Sequence, residues 1–216
     1  MLVIFDCDGV LVDSEPLAAE VFSLQLATVG LRMSATECHT TFHGRTLAAC
    51  FEWLEGHYNC QLPADFGEQL AAATREAFAG DLQPVTGVED VLESLTERAV
   101  PFCVASNGEH RKIAHSLAIT GLERFFPDSQ YPHATRFSRE DVASGKPAPD
   151  LFLFAAENFG VPARFCTVVE DSATGFAAAR AAGMKLIEFQ PAALPDRQAD
   201  GGWASSMSEV RRLLLS

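Results

Sequence analysis

Four short polar groups interrupt the apolar stretches of this chain. Asp6-Cys7-Asp8-Gly9-Val10 follows the run Leu2 to Phe5, Ser106-Asn107-Gly108 follows Pro101 to Ala105, and Glu170-Asp171-Ser172 follows Phe165 to Val169. The fourth, Gly145-Lys146-Pro147, stands shortly before a helical pattern. If the three apolar runs are neighbouring strands, Asp6, Asp8, Glu170 and Asp171 meet at one rim with the Ser106 hydroxyl opposite. Carboxylates so crowded do not all stay ionised unless a cation sits among them. Hard oxygen donors without His or Cys favour Mg²⁺ over zinc or copper. A Mg²⁺ with few protein ligands works alongside a substrate phosphate, and Lys146 offers the basic group that a phosphate requires.

The elements that must position these residues are legible as alternation. Apolar runs at Leu2 to Phe5, Pro101 to Ala105, Phe165 to Val169 and Lys185 to Phe189, with a weaker one near Ser129 to Tyr131, read as strands. Helical patterns lie between and after them, at Val88 to Arg98, His110 to Thr120, Asp150 to Phe159, Thr174 to Ala182 and Met207 to Leu215. Strands that are apolar throughout, alternating with helices, predict a parallel sheet covered on both faces, an α/β fold of Rossmann-like type. In such a sheet ligands bind beyond the carboxyl ends of the strands, where all three acid- and serine-bearing groups fall.

One stretch breaks the alternation. Between Glu15 and about Gly80 there are only helical stripes: Leu17, Val21 and Leu24; Leu47, Phe51 and Leu54; Leu70, Ala73 and Ala77. This predicts an inserted all-helical subdomain, residues 15–81, within a core of residues 1–14 and 82–216, entered through proline-bearing hinges at Val12 to Pro16 and Asp81 to Gly87. Asp196 to Ser206 reads as a polar surface loop.

Composition narrows the partners. Sixteen Lys and Arg against 29 Asp and Glu give a net charge of −13, which repels phosphate backbones and anionic lipid, so neither nucleic acid nor membrane is expected as a partner. The longest stretch without a charged residue, Val21 to Leu31, is too short to span a bilayer. An N-terminus without basic residues that meets an acid at Asp6 does not read as a signal peptide. Six scattered cysteines without a CxxC pair suit the reduced thiols of a cytoplasmic protein, and a monomer is the default expectation, since nothing in the sequence fixes the oligomeric state. The six histidines show no metal-ligand spacing.

Taken together, Asp6-x-Asp8-Gly-Val-Leu-Val-Asp-Ser, Val104-Ala105-Ser106-Asn107, Lys146-Pro147 and Glu170-Asp171-Ser172 resemble the four ordered motifs of the haloacid dehalogenase-like superfamily. The helical insert after the first motif is similar to the cap of its β-phosphoglucomutase-like subgroup. The resemblance implies that Asp6 attacks phosphorus to form an aspartyl-phosphate and that Asp8 first protonates the leaving oxygen, then deprotonates water. It implies Mg²⁺ held by Asp6, the main-chain carbonyl of Asp8 and Asp171, with Glu170 beside them, and phosphoryl oxygens held by Ser106, Lys146 and the backbone N–H of Asn107. The segment from Val104 to Gly108 through Phe125-Phe126-Pro127-Asp128 is similar to bacterial phosphatases that accept 6-phosphogluconate and other sugar phosphates. A small phosphorylated metabolite, a sugar or sugar acid, is therefore the expected substrate.

Other readings stand beside these. Asp-x-Asp-Gly also forms turns, Ser106 also suits an N-cap, and Ser172 is read as one. Cys7, on the opposite face of its strand from Asp6, is expected in the core. Arg45, in His43-Gly44-Arg45-Thr46, either meets a second anionic group of the substrate or is an ordinary surface arginine. A phosphosugar mutase of the same fold is the main alternative function. The mutases it resembles carry a histidine in the opening helix of the cap, where this chain has Ala18. Phosphonate and haloacid hydrolases generally lack the second acid that Asp8 supplies, and a non-catalytic relative would have no need of the full set.

Overall fold

The computed structural model describes residues 1–42, 45, 47–128, 134–190 and 202–216. Its chain forms two compact units, Asp13–Leu82 on its own and Met1–Val12 together with Gln83–Ser216. The first boundary lies between Val12 and Asp13, inside the expected stretch Val12 to Pro16, and helix α1 (Ser14–Thr28) follows at once with Pro16 in its first turn. Proline is tolerated at that position because the N–H it lacks would have no helical partner.

The smaller unit is helical: α1, α2 (Ala35–Phe42), α3 (Leu47–Tyr58) and α4 (Phe66–Asp81). Its interior is built from Phe22, Leu26, Cys38, Phe42, Cys50, Leu54, Phe66 and Leu70. The Phe22 and Phe42 rings lie 5.0 Å apart. Two of the expected stripes hold only in part: Val21 and Leu54 are buried, but Leu24 is 67% exposed and Leu47 53% exposed, and α1 also buries Phe22 and Leu26. The aromatic ring, having more apolar area to remove from water, sets which face turns inward.

The larger unit carries a six-stranded, wholly parallel sheet in the order β3-β2-β1-β4-β5-β6. The strands are β1 (Leu2–Phe5), β2 (Phe102–Ser106), β3 (Arg136–Ser138), β4 (Cys166–Glu170), β5 (Lys185–Phe189) and β6 (Trp203–Ala204). Every residue of β1 and β4 is buried, as a sheet covered on both faces requires. One face packs Leu2, Ile4, Cys103, Phe137 and Val168 against Leu151 and Phe152 of α7 (Asp150–Asn158) and Phe176 of α8 (Ala173–Ala181). Among the remaining helices, α5 (Val88–Glu97) buries Val88, Val91, Leu92 and Leu95, a spacing of one helical face. The others are α6 (His110–Ile119) and α9 (Met207–Leu215).

One sequence expectation falls outside the described residues and another needs correction. The third strand is Arg136–Ser138, whereas Ser129 to Tyr131 lies outside the described residues. The expected loop Asp196 to Ser206 contains β6, whose Ala204 is completely buried, while residues 196–201 are not described. For function the central fact is that β1 lies between β2 and β4, pairing Ile4 with Cys103 on one side and Val168 on the other. Strand order reverses at β1, so a crevice opens beyond the carboxyl ends of these three strands.

Candidate active site

The crevice collects most of the motif residues. Asp6 directly follows β1, with its backbone N–H donating to the Val169 carbonyl of β4 at 3.0 Å. The chain then turns back sharply, the N–H groups of Leu11 and Val12 both reaching the Cys7 carbonyl. This turn needs glycine at Gly9, whose φ is +75° and where a Cβ would overlap the Asp171 carboxylate. Cys7 is buried and free, as expected.

Lys146 is the electrostatic centre. Only 8% exposed, it donates to Asp6 Oδ1 at 2.6 Å and Glu170 Oε1 at 2.7 Å, with its ammonium 4.8 Å from the Phe152 ring centre. Burial lowers a lysine's proton affinity, but the charges of Asp6 and Glu170 outweigh it and hold Lys146 above the usual lysine range. Burial pushes the Asp6 carboxyl up to about 7, with Lys146 pulling down and the Glu170 charge adding to the rise. One ammonium thus faces two buried carboxylates and does not neutralise both.

Glu170 is fully buried and fully engaged. Its Oε2 accepts from the N–H of Ser172 at 2.8 Å and from the Ser172 hydroxyl at 2.9 Å. Ser172 also caps α8, accepting from the Gly175 N–H at 3.0 Å, which bears out the N-cap reading. A Cβ on Gly175 would overlap the Glu170 carboxyl group, so only glycine lets α8 approach this closely. Asp6, Glu170 and Asp171 can each present an oxygen within 4.8 Å of the others. When all three acids are ionised they leave, with Lys146, two net negative charges. A hard divalent cation such as Mg²⁺ matches both that charge and the all-oxygen donor set, and glycine at position 9 is what lets the Asp171 carboxylate lie against the turn after β1.

Ser106 ends β2 and is buried, its Oγ accepting from the Gly108 N–H at 3.1 Å. It does not cap α6, whose preceding residue is Glu109. The Asn107 side chain clasps the main chain of Lys146, accepting from its N–H at 2.8 Å and donating to its carbonyl at 3.0 Å. The amide therefore fixes the lysine's backbone. Asp6, Asp8, Ser106, Asn107, Lys146 and Glu170 line a cleft of about 280 Å³. A larger cleft of about 480 Å³, bordered by His110, Arg136, Phe137 and Asn158, holds none of these motif residues. Chemistry rather than size identifies the smaller one.

One cleft residue escapes motif reading. Lys112, in the first turn of α6, places its ammonium 2.5 Å from Asp8 Oδ2. A signal existed: that turn carries His110, Arg111 and Lys112 and no acid, although a helix N-terminus disfavours cations. Arg45 belongs to the helical unit, where it is exposed and its N–H donates to the Phe42 carbonyl at 3.0 Å. The rest of its loop, residues 43, 44 and 46, lies outside the described residues.

Comparison with known proteins agrees with this geometry. Residues 1–183 match the model of the haloacid dehalogenase-like hydrolase family. The chain is 29% identical to 6-phosphogluconate phosphatase of Escherichia coli, covering 87% of this chain and 81% of that one. It is 30% identical to the fructose-1-phosphate phosphatase YqaB of the same organism, covering 87% and 95%. A haloacid dehalogenase family hydrolase from Deinococcus radiodurans, solved with bound phosphate and sodium, superposes with a TM-score of 0.84 at 30% identity, covering 99% and 94%. This chain belongs to the haloacid dehalogenase-like hydrolase family and is a phosphoric monoester hydrolase.

Proposed function

We propose that the protein is a Mg²⁺-dependent phosphatase of a small phosphorylated metabolite, a sugar or sugar-acid phosphate, working through an aspartyl-phosphate on Asp6. The observation that carries this reading is the buried arrangement of Asp6, Lys146 and Glu170, with Asp171 beside it and Asp8 on the same cleft. A phosphate monoester dianion repels an approaching anion, so a carboxylate nucleophile needs positive charge around the phosphoryl group. Lys146 supplies one such charge, and its ammonium already holds the Asp6 oxygen in place. Ser106 and the backbone N–H of Asn107 would bind phosphoryl oxygens.

Mg²⁺ would be held by Asp6, the main-chain carbonyl of Asp8 and Asp171. Glu170 stands beside it, acting through water because both its oxygens are engaged. When bound, the ion supplies charge neutralisation for the phosphoryl group. Asp6 attacks phosphorus as Asp8 gives a proton to the leaving oxygen. Asp8 then takes a proton from the water that attacks the aspartyl-phosphate, restoring both residues. The helical unit is proposed as the cap that selects the leaving group, with Arg45 as the candidate contact to a second anion. The six free thiols suit the cytoplasm.

Support for the substrate class comes from the relatives named for 6-phosphogluconate and fructose 1-phosphate. The test is a panel of phosphorylated metabolites with Mg²⁺, following both free phosphate and isomer composition. Net phosphate release without a bisphosphate activator is expected. Ala18 stands where a mutase would place its base, so the intermediate has water as its acceptor. Stoichiometric conversion of a 1-phosphate to a 6-phosphate with negligible free phosphate would establish a mutase instead.

A further inference from the structure

Lys112 and Asp8 are 104 residues apart in sequence and form an ion pair on the wall of the cleft. Lys146 is committed to Asp6 and Glu170, so the two lysines serve different carboxylates. The contact to Asp8 is one-sided. Oδ2 receives the lysine ammonium at 2.5 Å, whereas Oδ1 is buried and has no hydrogen-bond partner among the described residues. A terminal carboxyl torsion is otherwise broad and two-fold, so an untethered aspartate presents either oxygen over a range of angles. Lys112 also sits in the first turn of α6, where the helix dipole opposes a cation. The ion pair with Asp8 offsets that cost, with the nearby Asp6 charge adding to the attraction.

We propose that Lys112 is a positioning residue that holds the Asp8 carboxyl group by Oδ2 in one orientation at the cleft. This rests on the reading of Asp8 as the acid and base of the reaction. The pair works in both protonation states. When Asp8 is neutral, one carboxyl oxygen carries the proton and the carboxyl group still accepts from Lys112. In the first half-reaction the Asp8 proton passes to the bridging ester oxygen as the bond from phosphorus to that oxygen breaks, its electron pair staying with the leaving alcohol. The new bond runs from Asp6 to phosphorus. In the second half-reaction water bonds to phosphorus, one of its protons passes to the Asp8 carboxylate, and the Asp6 oxygen recovers its electron pair. Lys112 keeps its proton throughout.

The test compares two esters of similar shape, phenyl phosphate and p-nitrophenyl phosphate. The phenolate leaving group needs protonation far more than nitrophenolate does. kcat/KM reports the half-reaction in which the ester bond breaks. Lys112→Met should lower kcat/KM for phenyl phosphate about tenfold or more, and for p-nitrophenyl phosphate by less than about threefold. Lys112→Arg, which can donate to the same oxygen, should restore most of the loss. Asp8→Asn should show the same asymmetry more strongly. If Lys112→Met slows both esters equally, or neither, while Asp8→Asn remains asymmetric, the positioning role is overturned and the acid role stands. If Asp8→Asn itself is symmetric, the acid reading falls and this proposal with it. Thermal midpoints of all three variants close to wild type keep the kinetic differences from reflecting misfolding.

Discussion

Replacing Lys146 by methionine keeps an unbranched chain of similar length and removes only the ammonium. Two hydrogen bonds are lost at once, to Asp6 at 2.6 Å and Glu170 at 2.7 Å, in a site where the lysine side chain is 3% exposed. Removing one partner of a buried ion pair costs about 3–5 kcal/mol because the other charge stays buried without compensation. Here two carboxylates are left, so the upper part of that range applies in the metal-free protein. For a chain of this size each kcal/mol shifts the midpoint by about 2–4 °C, so the fall should be on the order of 10 °C or more in chelator. Saturating Mg²⁺ supplies charge to the same acids and should narrow the deficit. Turnover should not recover, because the phosphoryl oxygens still lack the ammonium, a loss worth about 10²–10³ in kcat. The assay is a pair of thermal melts with and without Mg²⁺, together with steady-state phosphate release. A variant that melts within about 2 °C of wild type in chelator would refute the reasoning that Lys146 is the main countercharge of this site.

Three further outcomes follow from the same geometry. Asp171→Ala should weaken apparent Mg²⁺ affinity much more than Glu170→Gln, whose parent side chain is already bonded to Lys146 and Ser172; equal losses in a Mg²⁺ titration would place both acids in direct contact with the ion. Asp6, lifted to about 7 when metal-free, keeps a proton in the folded state that the unfolded chain has lost above its own value near 3.8. The metal-free protein should therefore lose stability from this group, by roughly 4 kcal/mol, as pH rises from about 4 to about 7, and Mg²⁺ must displace that proton. The Mg²⁺-induced rise in melting temperature should accordingly grow with pH and level off above about 7; a gain independent of pH would contradict the assignment of the buried proton. Gly175→Ala should lower both stability and Mg²⁺ affinity, since the added methyl displaces the Glu170 carboxyl group, and an unchanged melt would show that α8 shifts without cost.

The catalytic strands were legible because each is a short apolar run ending in polar residues, and such runs alternate with amphipathic helices. Ser172 could be assigned as a cap on local grounds alone, since the carboxylate it also contacts is only two residues away. The rest depended on distance in the chain. β3 has three residues and β6 two, too few for a period to show, and both are held by pairing with strands far away in sequence. Leucines at helical spacing revealed the buried faces only in part: α1 buries Val21 together with Phe22 and Leu26 but leaves Leu24 out, and α3 buries Leu54 but not Leu47. Lys112 has no motif around it; its meaning arises only when α6 is brought beside the turn after β1. The double engagement of Glu170 and the glycine requirement at Gly175 are likewise properties of α8 packed against the end of β4.

The central claim, a phosphoryl group carried on Asp6, is tested most directly by trapping it. Asp8→Asn protein with Mg²⁺ and p-nitrophenyl phosphate should form the intermediate, since this leaving group needs little protonation, and should hydrolyse it slowly for want of a base. Acid quenching, digestion and mass mapping should then find one phosphoryl group on the peptide containing residue 6. The same treatment of an Asp6→Asn, Asp8→Asn double variant should find none. A phosphorylated peptide from elsewhere in the chain, or nitrophenol release at the wild-type steady-state rate with no phosphoryl-protein at all, would contradict the account.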